Sequence, residues 1–158
     1  MGNAVKIYAS SDHAGHRLRG ILVEYLRSKR VEVEDLGPTT PEPLDYPDQA
    51  ALIGRLVGKT PDARGLLVCG SGIGVCMAAN KVRGVRAVAA WNAESARLSR
   101  AHNDSNVLCL GERLIAESEA RPILDAWLET PFEGGRHAQR VAKMSAIEAG
   151  DVPADAKK

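Results

Sequence analysis

Apolar residues along this chain alternate between short dense runs and longer stretches in which they recur every three or four positions. The runs at residues 5–9, 65–69, 86–91 and 106–110 read as strands buried on both faces. Residues 31–36 alternate Val with Glu, as an edge strand with one wet face does. Leu18, Ile21, Leu22, Tyr25 and Leu26 share one helical face, and helices are expected also over residues 48–58, 75–82, 93–101, 117–128 and 133–148. Residues 37–47 hold four prolines and read as a loop, and residues 150–158, which lack periodicity, are expected to fray.

Strand and helix alternating in this way predict an α/β fold, a Rossmann-like three-layer sandwich with a five-stranded parallel sheet, helices on both faces and a long C-terminal helix. At 158 residues the chain suits one domain, expected over residues 1–149. A net charge of +1 gives no global attraction to nucleic acid or an anionic membrane surface. No apolar stretch approaches the roughly 20 residues of a membrane span. Residues 1–5 lead straight into the first strand without the regions of a secretory leader. The three cysteines, Cys69, Cys76 and Cys109, have neither disulfide-framework nor zinc-finger spacing, so a reducing cytoplasm and no structural metal are expected.

Open parallel sheets bind ligands beyond the carboxyl ends of their strands. The first strand ends in Ser10-Ser11-Asp12-His13-Ala14-Gly15, where Asp12 or Ser11 reads either as a helix cap or, with His13, as site chemistry. The third ends in Cys69-Gly70-Ser71-Gly72-Ile73-Gly74, whose alternate glycines let backbone N–H groups converge on an anion ahead of a helix N-terminus. The pattern G-S-G-I-G matches neither the dinucleotide fingerprint nor the P-loop. Val75 stands where a tyrosine-phosphatase loop has its arginine. Cys69 alone could be an inert core thiol, a reading that Cys76 and Cys109 keep, but it abuts the glycine nest.

His102 and Asn103 close a helix before the fifth strand, where an imidazole could simply serve the helix C-terminus. Gly111-Glu112-Arg113 follow that strand. The final helix is expected to open with Glu133-Gly134-Gly135-Arg136-His137, putting Arg136 and Arg140 four apart on one face, which suits a phosphate or a solvated basic surface equally. Trp91 and Asn92, after the fourth strand, read either as shaping the pocket or as closing the core, the second being the expectation.

Together, D-H-A-G at 12–15, D-Y-P-D at 45–48, C-G-S-G-I-G-V at 69–75 with A-A-N-K-V at 78–82, S-R-A-H-N-D-S-N-V-L at 99–108, G-E-R at 111–113 and E-G-G-R-H-x-x-R-V at 133–141 resemble the ribose-5-phosphate isomerase type B family, which includes relatives acting on six-carbon sugar phosphates. The resemblance implies an aldose-ketose isomerase that works through a cis-enediolate, with Cys69 moving a proton between C1 and C2. Gly70, Ser71, Gly72, Ile73 and Gly74 would steady the enediolate oxygens, Ser71 standing where many relatives have threonine. His102 would assist ring opening, Asp12 and Asn103 would hold sugar hydroxyls, and Tyr46 would help set pocket depth. The phosphate would lie among His13, Arg113, Arg136 and Arg140, with His137 in support. A second subtype of the family has glycine at the cysteine position and glutamate where this chain has Val75, so the resemblance points to the cysteine subtype.

The resemblance further implies no cofactor or metal, and a homodimer or dimer of dimers in which His102 and Asn103 enter the neighbouring subunit's site. Ribose 5-phosphate is the expected substrate. Three alternatives stay open on the sequence: a six-carbon substrate such as allose 6-phosphate, a non-catalytic sugar-phosphate sensor, and a flavodoxin-like redox or nucleotide-binding protein.

Overall fold

Five strands, β1 Lys6–Ser11, β2 Glu32–Asp35, β3 Arg64–Cys69, β4 Ala87–Ala89 and β5 Val107–Gly111, form one parallel sheet in the order β2-β1-β3-β5-β4 in the computed structural model, which describes residues 5–151. Residues 152–158 of the stretch expected to fray lie outside that range. Six helices accompany the strands: α1 His16–Ser28, α2 Tyr46–Lys59, α3 Ile73–Ala79, α4 Ala93–Asn103, α5 Glu117–Glu129 and α6 Arg136–Glu148. Among the described residues, no helix is long and apolar enough to cross a membrane.

Alternation along each strand divides the core in two. Ile7, Ala9, Leu66, Val68, Leu108 and Leu110 pack with Leu18, Leu22 and Leu26 of α1 and with Ile123, Leu124 and Trp127 of α5. Tyr8, Leu67, Cys69, Val107 and Cys109 face the opposite way, onto Ala50, Ile53 and Val57 of α2 and Val75 and Ala79 of α3. Both faces being covered explains why the central strands are continuously apolar, whereas β2, at the edge, alternates exposed and half-buried residues.

In the sheet β5 lies between β3 and β4, spatial order being set by packing and not by position in the chain. Other details depart from the pattern-based expectation. Trp91 does not close the core: β4 stops at Ala89, and Trp91 stands 48% exposed while Asn92 caps α4 through a 2.8 Å bond from Ser95 N–H. The final helix starts at Arg136 instead of Glu133, since Gly134 and Gly135 take φ of +65° and +56°. With 13 residues α6 is no longer than α1 or α5, so the last helix is not a long one.

Trp127 anchors the amino-terminal edge of the sheet. It is fully buried, its indole N–H donates to Ser105 Oγ at 2.9 Å, and Arg64 lies 5.3 Å over its ring. Trp127→Ala is expected to cost about 3–5 kcal/mol by emptying this space. Urea unfolding would read this as a lowered midpoint, and a loss under about 1 kcal/mol would contradict the anchoring role.

Candidate functional site

Sheet order reverses between β1 and β3, the point at whose carboxyl ends open parallel sheets bind ligands. Cys69, the last residue of β3, is 3% exposed, and its Sγ accepts the Gly72 backbone N–H at 3.1 Å. Gly72, at φ +77°, makes the turn into α3, and a Cβ there would lie 2.9 Å from the Leu110 carbonyl carbon. The loop thus curls back over its own thiol because only glycine permits both the dihedral and the approach to β5. Ser71 Oγ accepts the Ile73 N–H at 3.2 Å, so two N–H groups of the nest already have acceptors.

Other expected residues gather at the same end. Arg113 N–H donates to Gly70 O at 3.0 Å, and a Cβ on Gly70 would come 3.1 Å from Arg113 Nη1, so the guanidinium lies over the loop. A Cβ on Gly74 would meet the Tyr46 ring at 2.6 Å, which places Tyr46 beside the start of α3. His13 is exposed, and its Nδ1 lies 3.2 Å from the Leu44 N–H and 3.3 Å from the Leu44 carbonyl oxygen. Asp12 behaves as a cap: it is 6% exposed and accepts the Gly15 N–H at 3.0 Å. Among the described residues Arg113 forms no ion pair, so an anionic guest would be its first charged partner.

His102, Asn103, Arg136, His137 and Arg140 lie elsewhere in the chain. Helix α4 leaves the carboxyl end of β4 and must return to the amino end of β5, so its last turn sits at the opposite edge of the sheet from Cys69. Gly111 pairs with Cys69, and β5 runs back from there to Val107, a depth of roughly 13 Å at about 3.3 Å per residue. Helix α6 begins beside that last turn, the preceding Glu133 N–H donating to Ala101 O at 3.0 Å. The phosphate group expected from His13, Arg113, Arg136 and Arg140 is therefore divided within one chain: the first two stand at the carboxyl end, the last two at the amino end. Arg136 and Arg140 are exposed and, among the described residues, form no ion pair.

At the amino end the His102 and His137 rings stack at 4.2 Å with 6° between planes. Glu133 Oε2 stands 3.8 Å from His102 Nε2 and 3.7 Å from His137 Nε2. Burial pushes the His137 imidazole below its ordinary value, with His102, Arg136 and Arg140 adding to the effect and Glu133 opposing it. The ligand atoms of this trio lie within 4.8 Å of one another, a spacing that could hold a metal. The rings are parallel, however, so their in-plane lone pairs run side by side and do not meet at a point about 2 Å from both. The arrangement suits hydrogen bonding and charge better than chelation.

Sequence reading assigned no role to Glu133, though it opens E-G-G-R-H, nor to Glu112, whose Oε2 accepts the Leu18 N–H at 2.9 Å in the first turn of α1. It also set Cys76 aside as inert core. The structure leaves Cys76 half-buried, its thiol held below the usual range by hydrogen bonds from Cys109, the Ala89 backbone and Asn80, while burial pushes Cys109 well up. The Cys109 contact joins residues on different elements, which no local pattern announces.

Comparison with known proteins identifies the family. A family model described as Ribose/Galactose Isomerase matches residues 7–144. The chain is 45% identical over 143 residues to a probable ribose-5-phosphate isomerase B of Mycoplasma pneumoniae, covering 90% of this chain and 94% of the relative. It is 44% identical to the ribose-5-phosphate isomerase B of Escherichia coli, covering 90% and 96%. A crystal structure of the Mycoplasma genitalium ribose-5-phosphate isomerase B with bound ribulose 5-phosphate superposes with a TM-score of 0.89 at 43% identity, over 92% of this chain and 97% of that one.

Proposed function

Because this chain belongs to the ribose/galactose isomerase family, we propose that it interconverts D-ribose 5-phosphate and D-ribulose 5-phosphate, with Cys69 as the base. The observation that carries the reading is the buried Cys69 thiol at the carboxyl end of β3, bonded to the Gly72 N–H, with the Arg113 guanidinium over the adjoining Gly70. In the proposed reaction the Cys69 sulfur removes the proton from C2 of the open-chain aldose and returns one to C1. The charge that develops on oxygen is met by backbone N–H groups of residues 70–74, and preorganised donors of this kind contribute a few kcal/mol each. The Gly72 N–H, donated to the sulfur at 3.1 Å, fixes the thiol at the head of this loop.

The separation of Cys69 from His102 supports a site completed by a second copy of the chain. One copy would supply Cys69, the glycine loop, His13, Tyr46 and Arg113. The other would supply His102 and Asn103 for the sugar, with Arg136 and Arg140 for the phosphate and His137 behind them. Surface chemistry favours such pairing. Ile73, Met77, Trp91 and Leu114 are exposed at the carboxyl end, and α6 buries only His137 while exposing Met144 and Ile147. A homodimer, or a dimer of such dimers, would cover these patches and bring the guanidiniums of Arg113, Arg136 and Arg140 to one dianion. All three cysteines are free, which suits a reducing cytoplasm.

Turnover of ribose 5-phosphate by protein stripped with a chelator tests the reading, with allose 6-phosphate as a competing substrate. Full activity after chelation is expected. Tight binding of sugar phosphates without turnover would instead identify a sensor, and faster turnover of allose 6-phosphate would move the substrate to six carbons.

A further inference from the structure

The cluster at the start of α6 contains a carboxylate that the proton-transfer scheme does not use. Glu133 sits in the connection between α5 and α6, and its backbone N–H is tied to Ala101 O at 3.0 Å, one residue before His102. Its position is therefore fixed to the last turn of α4 independently of its side chain. The carboxylate approaches the same nitrogen, Nε2, of both imidazoles, at 3.8 and 3.7 Å. Arg97, which also feels Glu133, is taken up by Glu94 in two contacts of 2.9 and 2.8 Å and does not compete for it.

We propose that Glu133 is a positioning residue for ring opening: its carboxylate takes the Nε2–H of His102 and leaves Nδ1 to face the sugar, while His137 backs the ring. This rests on the isomerase reading above. The gap of 3.8 Å exceeds a hydrogen bond, but the Glu133 side chain is 53% exposed and free to rotate, and such contacts commonly tighten when substrate binds. Two stacked rings sharing one carboxylate cannot both carry a proton cheaply. Burial pushes His137 below its ordinary value, which favours His102 as the partner of the single carboxylate.

Ring opening needs one group that both takes and gives a proton. The C1–O4 bond breaks, the C1=O1 carbonyl forms, and a proton moves from O1 to O4 with no net gain or loss. An imidazole held in one tautomer can accept the O1 proton at Nδ1 and return it to O4, whereas a freely spinning ring spends time in the wrong orientation.

The reverse direction separates this step from Cys69 chemistry. Ribulose 5-phosphate carries its phosphate on the only hydroxyl that could close a five-membered ring, so it is open-chain and needs no opening. Glu133→Gln is expected to lower turnover of ribose 5-phosphate about tenfold. Deuterium exchange from solvent into C1 of ribulose 5-phosphate, followed by NMR, should stay within about twofold of wild type, because general-base work at Cys69 is untouched. Glu133→Asp should recover most of the lost turnover. Equal loss in both assays, or loss in neither, would overturn the proposal, as would failure of Glu133→Asp to recover turnover. Failure of the isomerase reading would show differently, as absence of exchange in the wild type.

Discussion

Cys69→Ala is expected to lower turnover of ribose 5-phosphate by about 10²–10⁴-fold, the range that a positioned general base supplies. The loss should appear in kcat with little change in KM, because the thiol works in the proton transfer and not in holding the phosphate. Folding should survive. The residue ends a strand whose other contacts are made by Leu66, Leu67 and Val68, and the substitution leaves one N–H, that of Gly72, without its acceptor at a cost of about 1–3 kcal/mol. Cys69→Ser is the sharper control, since it keeps an acceptor for that N–H while an alcohol surrenders its proton far less readily than a thiol. Near-wild-type turnover in the serine variant would remove Cys69 from the role of base. Sugar-phosphate binding should persist in both variants, measured by displacement of a competitive inhibitor.

Mixing two inactive variants should restore activity. His102→Ala, expected to be slow through loss of ring opening, carries an intact Cys69, and Cys69→Ala carries an intact His102. If each site takes Cys69 from one copy and His102 from the other, a mixed dimer has one complete site and one doubly defective site. Random reassembly makes half the dimers mixed, so about a quarter of wild-type activity should return under two-fold symmetry. The experiment requires dissociation and reassociation, for example by brief exposure to denaturant of the combined chains. No recovery, with mixed dimers demonstrated by mass, would mean that both residues act within one chain or that one is not needed. The geometry makes the first of these hard to satisfy, because His102 and Cys69 lie at opposite edges of the sheet.

Much of this architecture was visible as local pattern. Dense apolar runs marked strands because a parallel sheet covered on both faces leaves no wet side to alternate with, and β2 betrayed its edge position through the Glu residues at 32 and 34. The loop after β3 was readable because glycine at alternate positions has few other uses, and Cys69 drew attention by touching it. Less legible were features that depend on which segment meets which. The run at residues 86–91 predicted a core-closing Trp91, yet β4 ends at Ala89 and the indole stands largely exposed. Arg136 and Arg140 were grouped with His13 and Arg113 by the family resemblance, which carries residue roles but not the distance between the two ends of a sheet.

Element type, approximate boundaries and the residue kinds at strand ends all follow from interactions within a few positions of each other, where side-chain period and backbone dihedral preferences act. The placement of β5 between β3 and β4, the stacking of His102 on His137 and the approach of Glu133 to His102 arise from contacts across 20 or more residues of chain. These are selected only when competing ways of burying the same apolar faces are compared in three dimensions. The family resemblance already set His102 and Asn103 apart from Cys69, but the separation of Arg136 and Arg140 from His13 and Arg113 belongs to that second class: α4 carries the chain back to the amino end of the sheet, and α6 starts beside its last turn.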